Sequence, residues 1–233
     1  MKNRIWELDV FRGICIIGVV FVHLMYDLST LYNIIDWQYP VWFAFIKRWG
    51  GILFILLSGT CATLGRRSVR RGLVVFGCGM VISAVTYGMY RYGFHKSIII
   101  YFGVLHCLGT CMILWWIFKR FPGWLLAVLG VAMVVAGFYL DTIYPADNLW
   151  LMPLGILPPT FSTSDYFPLL PNLGWFLLGA VMGRIVYRRK QTLLPMVNPK
   201  NPIIRFFSFL GRHSLWIYLI HQPLISGICM LFI

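Results

Sequence analysis

Charge is scarce in this 233-residue sequence, and negative charge is scarcest. Only 12% of its residues are Asp, Glu, Lys or Arg, about half the share of a soluble domain. So few charges cannot hydrate the exterior of a globule of this length, which leaves lipid as the solvent for much of it. Seven acids stand against 20 Lys and Arg, a formal net charge of +13. The basic residues fall mainly in short connections between apolar runs. That placement is the mark of topology control and of anionic headgroups, so nucleic acid is not an expected partner.

Signature motifs are missing too. There is no P-loop, no GxGxxG after a strand and no GxSxG elbow, so nucleotide-hydrolysing and serine-esterase chemistry find no support. The six cysteines, Cys15, Cys61, Cys78, Cys107, Cys111 and Cys229, all lie inside apolar segments, and none has zinc-ligand spacing. They read as small packing residues, and no metal is expected. No internal repeat or low-complexity tract occurs.

What is abundant is apolar surface: 60% of the residues are hydrophobic. They fall into about seven runs, roughly 6–27, 45–64, 72–92, 98–118, 122–140, 166–187 and 213–232, each near the ~20 residues that carry a helix across a bilayer. Helix is required there, because backbone groups find no water. The expected fold is therefore an all-α, polytopic integral-membrane bundle of about seven helices, one domain over 1–233. The first run follows Lys2 and Arg4 as a signal peptide would. Glu7 and Asp9 interrupt it and no A-x-A-like site follows, so it is expected to be retained.

Of the 20 basic residues, only Lys47, Arg48, Arg91 and Lys96 fall outside if the N-terminus is cytoplasmic. That asymmetry predicts N-terminus in and, with seven spans, C-terminus out. An alternative makes Trp37–Lys47 a separate interfacial helix, which would move the C-terminus. The stretch 141–165 holds Asp141, Asp147 and Asp165 but no Lys or Arg, and is expected to cap or line an extracytoplasmic entrance. The basic stretch 188–212 is expected along the inner headgroups, with Ile203–Leu210 as a short interfacial helix.

Ionisable residues inside the runs carry the functional signal. Ten residues, Gly13–Val22, separate Arg12 from His23. That helical rise is only ~15 Å, about half the hydrocarbon thickness. At least one of the two must therefore be buried, facing the bundle interior or a wet cavity, where such groups are usually functional. Asp27 follows His23 at i+4 and Asp9 precedes Arg12 at i−3, so each pair shares a helix face. On the functional reading His23 is a general base and Asp27 fixes its tautomer. On the other, Asp9–Arg12 is a structural pair and His23–Asp27 an outer helix end. His106 and His221 lie in later runs as ligand-binding or packing histidines, and Asn172 follows Pro171 as a polar group within the bundle. The loop from Gly65 to Gly72 packs four arginines, which mark an inner connection and also offer forked donors to phosphates.

Several motifs, taken in order, resemble one superfamily. Leu8-Asp9-Val10-Phe11-Arg12-Gly13 followed by His23 resembles the opening of transmembrane acyltransferases, which include the type 3 acyltransferases and the catalytic domain of heparan-alpha-glucosaminide N-acetyltransferase. Leu53–Ser58-Gly59 is similar to their LFxxLSG pattern. The run Tyr101–Gly109, with Gly103-Val104-Leu105, resembles the GVL-x-x-LG element of the heparan-acetylating branch. Ser164–Pro171 and Leu210–Pro223 resemble motifs of its small bacterial members. The resemblance spans about residues 6–223.

It implies an acetyl-CoA-dependent O- or N-acyltransferase in a bacterial plasma membrane, among membrane lipids, acting on a glycan or lipid-linked sugar. His23 and Asp27 would be catalytic. Arg12, Arg67, Arg70 and His106 would serve the acyl-CoA, with Arg67 and Arg70 matching an RxxR pattern. Asp165, Asn172 and His221 would serve the acceptor. The chain is shorter than ten- or eleven-span relatives, so it is a minimal core, half of a homodimer, or a member that has lost catalysis. The main rival function is a non-catalytic transporter or exporter of a small solute, with the same histidines as binding or proton-relay groups. A second rival is a structural membrane subunit.

Overall fold

Seven apolar runs without water have one backbone solution open to them, and each run contains a helix. The computed structural model describes residues 5–93, 98–140, 149–157, 161, 163–229 and 231. Its helices are α1 (Trp6–Tyr26), α2 (Val41–Leu64), α3 (Ser68–Arg91), α4 (Val104–Phe118), α5 (Gly123–Leu140), α6 (Leu169–Val186), α7 (Pro202–Arg212) and α8 (Ser214–Cys229). A wider π-type turn, Asp27–Leu31, prolongs α1. Among the described residues no strand forms, and one isolated parallel bridge joins Phe102 to Tyr166.

Five helical stretches are long and apolar enough to cross a membrane: Trp6–Leu31, Val41–Leu64, Ser68–Arg91, Gly123–Leu140 and Leu169–Val186. The apolar helices α4 and α8 have 15 and 16 residues. A rise of about 23 Å falls short of a hydrocarbon core of about 30 Å. The separate helix considered at Trp37–Lys47 does not form, because α2 starts at Val41 and runs unbroken to Leu64. The short helix expected near Ile203–Leu210 does form, as α7. Pro202 opens it and the Asn201 side chain accepts the Ile203 N–H at 2.9 Å. Lys2, Arg4, Lys96, Asp141 and Asp147, used in the topology argument, lie outside the described residues.

The chain divides into two compact units, one of residues 1–54 with 187–233 and the other of Ile55–Val186. In the first, α7 and α8 both pack on α1. The α1–α7 crossing is backbone against backbone: a Cβ at Gly211 would run into the Asp9 carbonyl, and one at Gly13 into that of Phe207. Lipid tails are as apolar as leucine, so membrane helices associate through such close small-residue contacts. Glu7 ties the start of α1 to the segment ahead of α7, accepting from Thr192 Oγ1 at 2.9 Å and from the Leu193 N–H at 2.8 Å.

In the second unit the same device recurs. Gly72 meets Gly109 where α3 crosses α4, and Gly130 meets Gly174 where α5 crosses α6. The Ile55–Leu64 part of α2 lies on α6 through Gly59, Gly179 and Gly183. There Thr60 Oγ1 donates to the Gly179 carbonyl at 2.9 Å.

Candidate functional site

In the first unit, four polar side chains from α1 and α8 meet. His23 stands one helical turn before Asp27. Gln222 Nε2 donates to Asp27 Oδ2 at 2.7 Å. The His23 and His221 rings meet edge to face, with centroids 4.9 Å apart and planes inclined at 68°. His221 Nδ1 lies 2.5 Å from the Tyr218 carbonyl oxygen. A carbonyl only accepts, so the proton of the neutral ring is on Nδ1, and Nε2 carries the free lone pair.

Counting donors and acceptors makes the cluster unusual. Asp27 is 1% exposed and His221 6%. Asp27 Oδ1, Gln222 Oε1 and His221 Nε2 are buried without a hydrogen-bond partner. Each such atom costs about 1–3 kcal/mol in desolvation. Their concentration where α1 meets α8 marks this cluster as the candidate site. All three are acceptors, so what complements them is a group bearing N–H or O–H donors. Among the described residues no cluster of His, Cys, Asp and Glu is set to hold a metal.

Asp27 differs from expectation in its partner. No hydrogen bond joins it to His23 among the described residues; its donor is Gln222, 195 residues away in the chain. The His23 ring turns toward His221 instead, while the α8 amide presents an N–H to the carboxylate. Gln222 is not among the residues singled out from the sequence, where its one signal is to be a second polar side chain beside His221 in an apolar run.

The second unit brings together His106, Asp165 and Asn172, and employs all three in holding helix ends. His106 Nδ1 accepts the Gly103 N–H at 3.3 Å. Its Nε2 lies 3.3 Å from Ser83 Oγ, which spends its own proton on the Ile100 carbonyl at 2.5 Å. The ring therefore accepts at Nδ1 and donates at Nε2, leaving neither nitrogen for a ligand. Gly79 leaves room for that ring against α3. Asp165 Oδ2 accepts the Val104 N–H at 3.0 Å, placing a carboxylate on the positive end of α4. Asn172 Nδ2 donates to the Pro168 carbonyl at 2.8 Å. That bond holds the start of α6, where Pro171 has no N–H to give.

The arginines also separate by environment. Arg12 pairs with Asp9 at 3.6 Å. Arg184 donates to the Lys119 and Phe121 carbonyls at 2.7 and 2.6 Å, closing the C-terminal end of α4. Arg66, Arg67, Arg70 and Arg71 are exposed around the start of α3, and no ion pair among the described residues engages them.

No curated protein and no solved structure matches the chain. A family model does, and it covers residues from both units, from the first turn of α1 to the His221–Gln222 pair. With residues 4–223 matched, the chain belongs to the family described as heparan-alpha-glucosaminide N-acetyltransferase, catalytic.

Proposed function

We propose that this protein is a membrane acyltransferase that moves an acetyl group from acetyl-CoA to a hydroxyl or amine of a glycan or lipid-linked sugar. The observation that carries the reading is the buried set of donor-less acceptors beside two imidazoles. An acceptor group entering that set would donate to Asp27 Oδ1, Gln222 Oε1 or His221 Nε2. His23 serves as the general base. It takes the proton of the attacking O–H or N–H as the new bond forms to the thioester carbonyl carbon. The C–S bond then breaks, and the CoA thiolate collects the proton. Asp27, held by Gln222, favours the imidazolium electrostatically rather than by direct contact.

The donor side rests on charge. Exposed guanidinium groups at Arg67 and Arg70, with Arg66 and Arg71 beside them, suit the phosphates of CoA. The excess of basic residues on one set of connections supports a cytoplasmic N-terminus in a bacterial plasma membrane. CoA then approaches from the cytoplasm. The main alternative, a solute exporter, would use the same cluster as a proton relay, and membership of a catalytic-domain family favours transfer.

Proteoliposomes given acetyl-labelled acetyl-CoA, with D-glucosamine and an alkyl glucoside as probe acceptors, separate the two. Label on either sugar supports the transferase. Movement of unmodified sugar across the bilayer, with the label still on CoA, supports the exporter.

A further inference from the structure

The 187–233 part of the first unit carries a surface that the proposed chemistry does not use. The last acid in the chain is Asp165, so every charge from residue 166 onward is positive. Arg188, Arg189, Lys190 and Lys200 are exposed in the segment before α7, interleaved with exposed Leu193, Leu194 and Met196, the last 98% exposed. Glu7 fixes this segment to α1 through Thr192 and Leu193. Gly211, pressed on the Asp9 carbonyl, fixes α7. The platform is thus anchored from behind, with its basic and apolar side chains turned outward.

On α7 the pattern becomes specific. Pro202, Arg205, Phe206, Phe209 and Arg212 line one shallow groove. Arg205 and Arg212 are seven residues apart, two helical turns and about 10 Å of rise, so they project from the same side. Both are exposed, and no ion pair among the described residues engages them. Between them the Phe206 and Phe209 rings are 56% and 51% exposed. A cationic site floored by aromatic rings fits an amphiphile with an anionic head and an apolar tail.

We propose that this groove is a binding site for one anionic phospholipid. Arg205 and Arg212 close over its phosphate from either end. Their planar forks give paired hydrogen bonds that an ammonium cannot copy. Phe206 and Phe209 lie along the first part of the acyl chain. The site differs from general adsorption of a basic surface because the geometry of two side chains, rather than the sum of charge, decides affinity. The choice of a lipid over a soluble phosphate rests on the exposed rings, which a free anion would leave in water.

Native mass spectrometry of the full chain in detergent, titrated separately with phosphatidylglycerol and phosphatidylcholine, tests this. The wild type should retain phosphatidylglycerol in preference. R205Q/R212Q should lower that affinity roughly thirtyfold, from the usual contribution of two arginines at an anionic surface, and leave phosphatidylcholine unchanged. R188Q/R189Q removes the same charge from the neighbouring segment, outside the groove, and should cost clearly less affinity than R205Q/R212Q. R205K/R212K, which keeps charge and fold but not the forks, should recover only part of the affinity. Equal losses in the two Arg→Gln pairs would overturn the site in favour of diffuse attraction. Displacement of phosphatidylglycerol by equimolar inorganic phosphate or acetyl-CoA would overturn the lipid assignment.

Discussion

At the scale of the residue, buried histidines divide by what their second nitrogen does. His106 has both nitrogens committed, to the Gly103 N–H and to Ser83. His221 has Nδ1 committed and Nε2 bare. Replacing His106 by Ala should therefore act on stability. It strands a backbone N–H at the start of α4 and opens a cavity, together about 2–4 kcal/mol. A lowered melting temperature in detergent, with the transfer rate unchanged well below it, is the expected result. His221→Ala should do the reverse, slowing transfer by more than its melting temperature falls. Gln222→Ala takes the donor from Asp27 Oδ2 and should cost about 1–3 kcal/mol, with a loss of turnover alongside; a variant as active and stable as wild type would remove Gln222 from the site. His23, Asp27 and His221 were legible in the sequence because ionisable groups in apolar runs stand out. Their partners were not, since Gln222–Asp27 and Asp165–Val104 join residues 195 and 61 positions apart and leave no local pattern. The resemblance assigns Asp165 and Asn172 to the acceptor, and in the structure each has a backbone partner at a helix end.

At the scale of the element, the apolar runs located the five helices long enough to cross a membrane and the two shorter apolar helices, α4 and α8, because nothing else can satisfy a backbone in lipid. Their ends were less legible. The run at 98–118 shortens to Val104–Phe118, since Asp165 and His106 hold the start of α4 at Gly103–Val104. Where helices cross was not legible at all, because Gly18 and Gly77, with open space around them, look in sequence like Gly13 and Gly59, which touch another backbone. That difference is testable. Gly211→Ala drives a methyl into the Asp9 carbonyl and should destabilise the α1–α7 contact by about 1–3 kcal/mol, while Gly18→Ala should be neutral or better. Thermal unfolding of the two variants in one detergent reads the contrast; equal melting temperatures would mean that the crossing is not close.

At the scale of the whole molecule, composition alone placed the chain in a membrane, but orientation rests on an asymmetry of charge that no contact within the structure reports. The reading with the N-terminus inside predicts that a cysteine at Ser164 reacts with an impermeant thiol reagent added to intact cells and that one at Ser68 does not. The opposite pattern would exchange the sides assigned to donor and acceptor. With that orientation, Arg67→Ala with Arg70→Ala should weaken acetyl-CoA binding in calorimetric titration, more at low salt, where screening is least. Unchanged affinity would move the donor phosphates elsewhere. The central claim is that His23 takes the proton during acyl transfer, and its most direct test is single-turnover transfer from labelled acetyl-CoA to D-glucosamine. The comparison is between wild type and His23→Ala, purified in detergent at matched melting temperatures. Loss of a general base predicts a fall of roughly 10²–10⁴-fold with acetyl-CoA binding kept, and a milder fall for Asp27→Asn. Transfer at the wild-type rate by His23→Ala would contradict the account.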